Sequence, residues 1–142
     1  MAWETPKTDW NGYTDANGNY VGDRFNAVDF NRIKNNIEHL RGMAARLYKE
    51  FPIVSLGEDR TPADYFYADE INQLEENFKL INDNTQQRAY GSAPRYVENG
   101  YTMTFAELNR LEGAMLDLHS RLTHQAENRR TLVLNFGIKG GF

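Results

Sequence analysis

The chain has 142 residues, 40% of them hydrophobic and 25% charged, and carries a net charge of −4. Those values fit one globular domain over residues 1–142 and exclude a disordered polymer; the apolar runs fall far short of the roughly 20 residues that span a bilayer. The acidic balance argues against a nucleic-acid partner, whose phosphates require clustered Lys and Arg, and the absence of Cys excludes disulfides, thiolate metal sites and cysteine nucleophiles.

The opening residues lack the basic and apolar regions of a signal peptide, which points to synthesis in a cytoplasm. Residues 1–24 read as an extended arm. Trp3 and Trp10 are costly to leave in water, so they dock on the helices or form a partner interface. The pairs Asn11-Gly12 and Asn17-Gly18, with Tyr13, Tyr20 and Val21 around the second, suggest a short hairpin.

The first helix is expected to begin after Asn26 and run to about Lys49 or Phe51, ahead of Pro52. Asn26 can cap it with Asp29 as partner, and Phe25 can pack on Phe30 as a staple. Phe30, Ile33, Ile37, Leu40, Ala44, Leu47 and Phe51 alternate steps of three and four, a seam for packing on other helices. Residues 52–65 form a loop in which Ile53 to Leu56 could be a short strand. A second helix is expected from Ala68 to about Ile81 or Asn82, with Phe66 and Ile71 as staple and Ile71, Leu74, Phe78 and Ile81 as seam. After a long connection over residues 83–103, Thr104 and Glu107 form a full capping box and Met103 with Leu108 a staple. Leu111, Met115, Leu118 and Leu122 carry this third helix toward Asn128.

The same block therefore occurs three times, marked by Phe25, Phe66 and Met103 and by Asn31, Asn72 and Asn109. Each Asn reads best as a side chain bonded to the backbone of the segment leading into its own helix, rather than as a ligand contact. In the tail, Leu132, Leu134, Phe136 and Ile138 alternate with period two, which predicts a β-strand. Such a strand would pair with the hairpin, the Ile53 segment or another subunit. The fold expected is mainly α: a three-helix bundle of three staple-cap-helix repeats over residues 25–130, with long loops, a hairpin-like arm at 1–24 and a strand at 131–142. The loop lengths allow parallel or antiparallel helices alike.

No catalytic constellation emerges, so no enzyme, cofactor or metal is expected. The stretch from Asp15 to Asn26 resembles a calcium loop only faintly, with Tyr20 in the place of the required Gly and Asn26 in that of the bidentate Glu. His39, His119 and His124 have no zinc-binding spacing and read as solvated. Glu75, Glu76, Glu112 and Asp117 read as exposed helix charges. The tyrosines of the loops, among them Tyr65, Tyr67, Tyr96 and Tyr101, fill gaps against the helices or offer a sugar-stacking surface.

The residues Trp3, Pro6-Lys7-Thr8-Asp9-Trp10, Asp23-Arg24-Phe25-Asn26 and Asp29-Phe30-Asn31-Arg32-Ile33-Lys34-Asn35-Asn36-Ile37 resemble the opening of small structural virion proteins of tailed phages and prophages of Gram-positive bacteria. The resemblance covers about the first 40 residues and implies a tail, baseplate or fibre-associated component made in the bacterial cytoplasm and located in the virion. It also implies assembly with other virion proteins and further copies of itself; the acidic balance and the short apolar runs add the expectation of no nucleic-acid binding and no membrane insertion. The competing readings are a module on the same particle that binds a host-surface glycan or receptor, and a free acidic helical adaptor.

Overall fold

A computed structural model describes residues 3–62, 68–91, 95–96 and 104–138, with side chains up to residue 129. The fold is mainly helical. A hairpin of β1 (Gly12–Thr14) and β2 (Tyr20–Gly22) precedes three helices, α1 (Ala27–Leu47), α2 (Ala68–Asp83) and α3 (Phe105–Ile138). Phe66 and Met103 lie outside the described residues, as do Tyr65, Tyr67 and Tyr101.

The hairpin is antiparallel with Tyr13 opposite Val21. Its turn is closed by the Asp15 carboxylate, which accepts from the backbone N–H groups of Asn17 and Asn19, each at 2.9 Å. Gly18 supplies the positive φ of 82° that the turn requires. The acidic residue of the would-be calcium loop is thus a turn-former.

At the start of α1 the Asn26 N–H donates to Asp29 Oδ2 at 2.9 Å, and at the start of α3 the Glu107 N–H donates to Thr104 Oγ1 at 3.2 Å. These bonds satisfy donors that a helix N-terminus leaves open. The first helix stops at Leu47, earlier than the seam suggested, because Phe51 turns back into the core, where it is buried. Arg41 Nε holds the Phe51 carbonyl at 3.1 Å. The segment from Ile53 to Leu56 carries no strand.

The seams converge in one core. Phe30, Ile33, Ile37 and Leu40 of α1 meet Leu74, Phe78 and Ile81 of α2 and Leu108, Leu111, Met115, Leu118 and Leu122 of α3. Cross-helix contacts fix the directions. Arg32 meets Glu112 and Glu75 meets Arg110 near the N-terminal ends, while Tyr48 and Gln86, which follow α1 and α2, both bond Gln125 of α3. The three helices are therefore parallel.

The expected C-terminal β-strand is not formed: Thr131 to Ile138 continue α3 as helix. Leu132 and Phe136 also fall in the three-and-four stepping that extends from Leu122, so the apolar pattern suits either structure. Extending a formed helix adds one hydrogen bond per residue fixed, whereas a strand needs a partner edge. The hairpin, the only sheet among the described residues, pairs its two three-residue strands with each other alone.

Candidate functional site

The polar side chains that organise this fold lie where loops meet helices. Asn31, Asn72 and Asn109 each make the same two-bond clamp. The amide oxygen accepts a loop N–H and the amide nitrogen donates to the carbonyl of the same loop residue. Asn31 grips Arg60 at 2.6 and 2.9 Å, Asn72 grips Tyr96 at 2.8 and 2.7 Å, and Asn109 grips Trp10 at 2.8 and 3.1 Å. An amide matches a peptide group donor for acceptor, so one Asn satisfies an isolated loop residue that has no strand beside it.

A second tier lies five residues further along α1 and α2. Asn36 grips Glu4 at 2.9 and 2.7 Å, and Asn77 grips Val54 at 3.2 and 2.7 Å. The matching position on α3 is Ala114. Glu4 and Trp10 are six residues apart, as are Val54 and Arg60, so each of these two extended segments is held at both ends by different helices. The segment around Glu4 to Trp10 joins α1 to α3, and that around Val54 to Arg60 joins α2 to α1. A local clamp, Asn82 on Arg88 at 3.0 and 2.7 Å, fixes the exit from α2.

Charges reinforce the same register. Arg32 and Arg110 directly follow Asn31 and Asn109, while Glu75 and Glu112 stand three residues after Asn72 and Asn109. Arg110 reaches Glu75 at 2.5 Å and Glu107 at 2.8 Å. Burial raises the Glu75 carboxyl above its ordinary pKa, and Arg110 offsets part of that. Arg32 reaches Asp29 and both oxygens of Glu112. Burial opposes the Arg32 charge, but the Glu112 and Asp29 carboxylates outweigh it and hold its pKa above the ordinary value.

Glu112 corrects the reading of an exposed charge. It is 0% exposed and also accepts from Trp10 Nε1 at 2.6 Å and the Lys7 N–H at 3.1 Å. At the α1–α2 boundary Lys34 takes over, 2% exposed, with Nζ at 2.8 Å from the Gly57 carbonyl and 3.1 Å from Asp59. Sequence reasoning gave Lys34 no role and took Glu112 for an exposed charge. Their shared offset of three from a repeated Asn was the available signal.

The two tryptophans dock within the chain. Trp10 is 4% exposed, with its ring near Phe25 and Phe105. Trp3 stacks on His119 at 3.9 Å and 6°, with His39 5.7 Å from His119. His119 is accordingly half-buried rather than solvated, and burial, then the neighbouring His39, lowers its pKa. Leu132, Leu134, Phe136 and Ile138 fall on the last part of α3, and their side chains lie outside the described residues. Asn31, Asn72, Asn109 and Trp10 thus belong to one system of loop-to-helix ties. Phe25 joins that system through Trp10.

Among the described residues no group of three or more His, Asp or Glu is placed to hold a metal ion. No described helix is long and apolar enough to cross a membrane. A cleft of about 610 Å³ opens between α2 and the segment from Arg88 to Gly91, lined also by Arg95 and Arg110. No protein-family model, curated protein or solved structure matches the chain.

Proposed function

We propose that the chain is a non-enzymatic structural component of a phage particle, in its tail, baseplate or a fibre-associated part, working through protein–protein assembly. In this reading it is a three-helix bundle built from three copies of one unit, an extended arm followed by a helix. Each arm bridges its own helix and the preceding one, and the first arm closes the ring onto the third helix.

The observation that carries the reading is the set of asparagine clamps. Three helices hold three loop residues with the same pair of bonds, and the closing clamp joins Trp10 to Asn109. The most buried polar groups, Glu112, Asn36 and Lys34, are engaged in tying segments together. That use of polar chemistry suits a rigid module that must keep its shape under load. The resemblance of residues 3–37 to small structural virion proteins supports the particle assignment, with other virion proteins and further copies of the chain as partners.

The test is imaging of purified particles with the chain located in them, alongside immunoblotting of the particle fraction. A fixed copy number at one place in the tail or baseplate is the expected result. Recovery of the chain only in the soluble fraction of infected cells would overturn the assignment.

A further inference from the structure

Five of the six loop-to-helix positions carry an asparagine clamp, and the sixth, Ala114 on α3, does not. By the six-residue spacing from Tyr96, the loop residue left without its clamp is Tyr90. Its carbonyl is instead approached by Arg110 Nη1 at 3.4 Å and its hydroxyl donates to Asp117 at 2.7 Å. The cleft of about 610 Å³ lies at this departure from the pattern, a size in the range of small-molecule sites.

We propose that this cleft binds an anionic, hydroxyl-rich ligand of saccharide size, such as a sugar acid or a sugar phosphate. The argument rests on charge and hydrogen-bonding type. Of the bases lining it, Arg110 is paired with Glu75 and Lys79 with Asp83. Arg88 and Arg95 are exposed and have no ion pair among the described residues, which leaves a surplus of positive charge in a chain whose net charge is −4. Guanidinium groups match the planar oxygens of carboxylate and phosphate.

The rim also carries the carboxylates of Glu76 and Asp83. A bare anion would be repelled by them, whereas a ligand with several hydroxyls donates to the carboxylates and accepts from Lys79 and the arginines. At the wall, Phe78 and Tyr90 lie 5.8 Å apart, giving an apolar surface for the C–H face of a sugar ring. The inference stands independently of the assembly reading, since a scaffold could carry the cleft or lack it.

Isothermal titration of the whole chain with glucose 6-phosphate, glucuronate, glucose and inorganic phosphate tests it. At least one of the two sugar anions should bind about tenfold or more tighter than both glucose and inorganic phosphate, a difference of about 1.4 kcal/mol. Preference between them identifies phosphate or carboxylate as the recognised group. The double variant Arg88→Gln/Arg95→Gln should weaken that binding about tenfold while melting like the parent, since both side chains are exposed. If its melting shifts, Arg95→Gln alone supplies the comparison. Equal binding of inorganic phosphate, no saturation by any probe below about 10 mM, or affinity unchanged in the arginine variants would overturn the proposal.

Discussion

Replacing Asn72 by Ala removes one clamp and nothing else of bulk. The side chain holds Tyr96 by bonds of 2.7 and 2.8 Å, each worth about 1 kcal/mol net. Tyr96 is 6% exposed, so its freed N–H and carbonyl are not readily rehydrated, and the loss rises to about 3 kcal/mol. Ala is the better helix former by about 0.5 kcal/mol, which offsets a little of this. The expected net destabilisation is about 2 to 3 kcal/mol, or a fall of roughly 10 °C in Tm for a domain of this size. Urea denaturation monitored by circular dichroism reads it directly. Asn72→Asp keeps an acceptor for the Tyr96 N–H but sets a carboxylate against its carbonyl, so it should rescue nothing. A loss of under about 0.5 kcal/mol in Asn72→Ala would show that the clamp is not what holds this loop.

Glu112→Ala should cost about 2 to 4 kcal/mol, because it leaves the half-buried Arg32 with Asp29 as its one carboxylate and strands the Trp10 N–H; denaturation combined with a red shift of Trp emission checks both parts. Ala114→Asn should add the missing sixth clamp and raise stability by about 1 kcal/mol, measured by thermal melting. A loss instead would mean that the third arm is held differently from the other two. His119 has a folded-state pKa below its ordinary value, so the unfolded chain binds the proton more readily. Stability should therefore fall as pH drops below about 6.5 and level off once pH passes the folded pKa. His119→Gln should flatten that dependence in urea titrations at pH 7.5 and 5.0.

Local patterns made the helices legible. The start of α2 at Ala68, the cap at Thr104 and the seams through Leu40, Ile81 and Leu122 all rest on residues close in sequence. The repeated Asn was visible, but its partners were not, because the backbone that Asn31 or Asn109 grips is 29 or 99 residues away. The same holds for Glu112: whether a helix carboxylate faces water depends on an Arg 80 residues distant. Helix direction followed only from such long-range pairs, since loops of this length permit either packing. The end of α3 was misread because Leu132 and Phe136 satisfy both periods, and continuing the helix already formed adds a backbone hydrogen bond per residue without requiring a partner.

The tie between Trp10 and α3 also orders events during synthesis. The ribosome makes residue 10 about a hundred residues before Asn109 and Glu112, so the first segment emerges with its groove still unbuilt. Closing a loop of that length carries an entropy cost that grows only with the logarithm of its size, so docking is delayed by translation more than by thermodynamics. Until then two tryptophans are exposed on the nascent chain, a target for holding chaperones. Burial of Trp10 is thus a timer for completion: a ribosome-bound chain stalled before residue 109 should still show a solvent-exposed indole, and the released 142-residue chain should not.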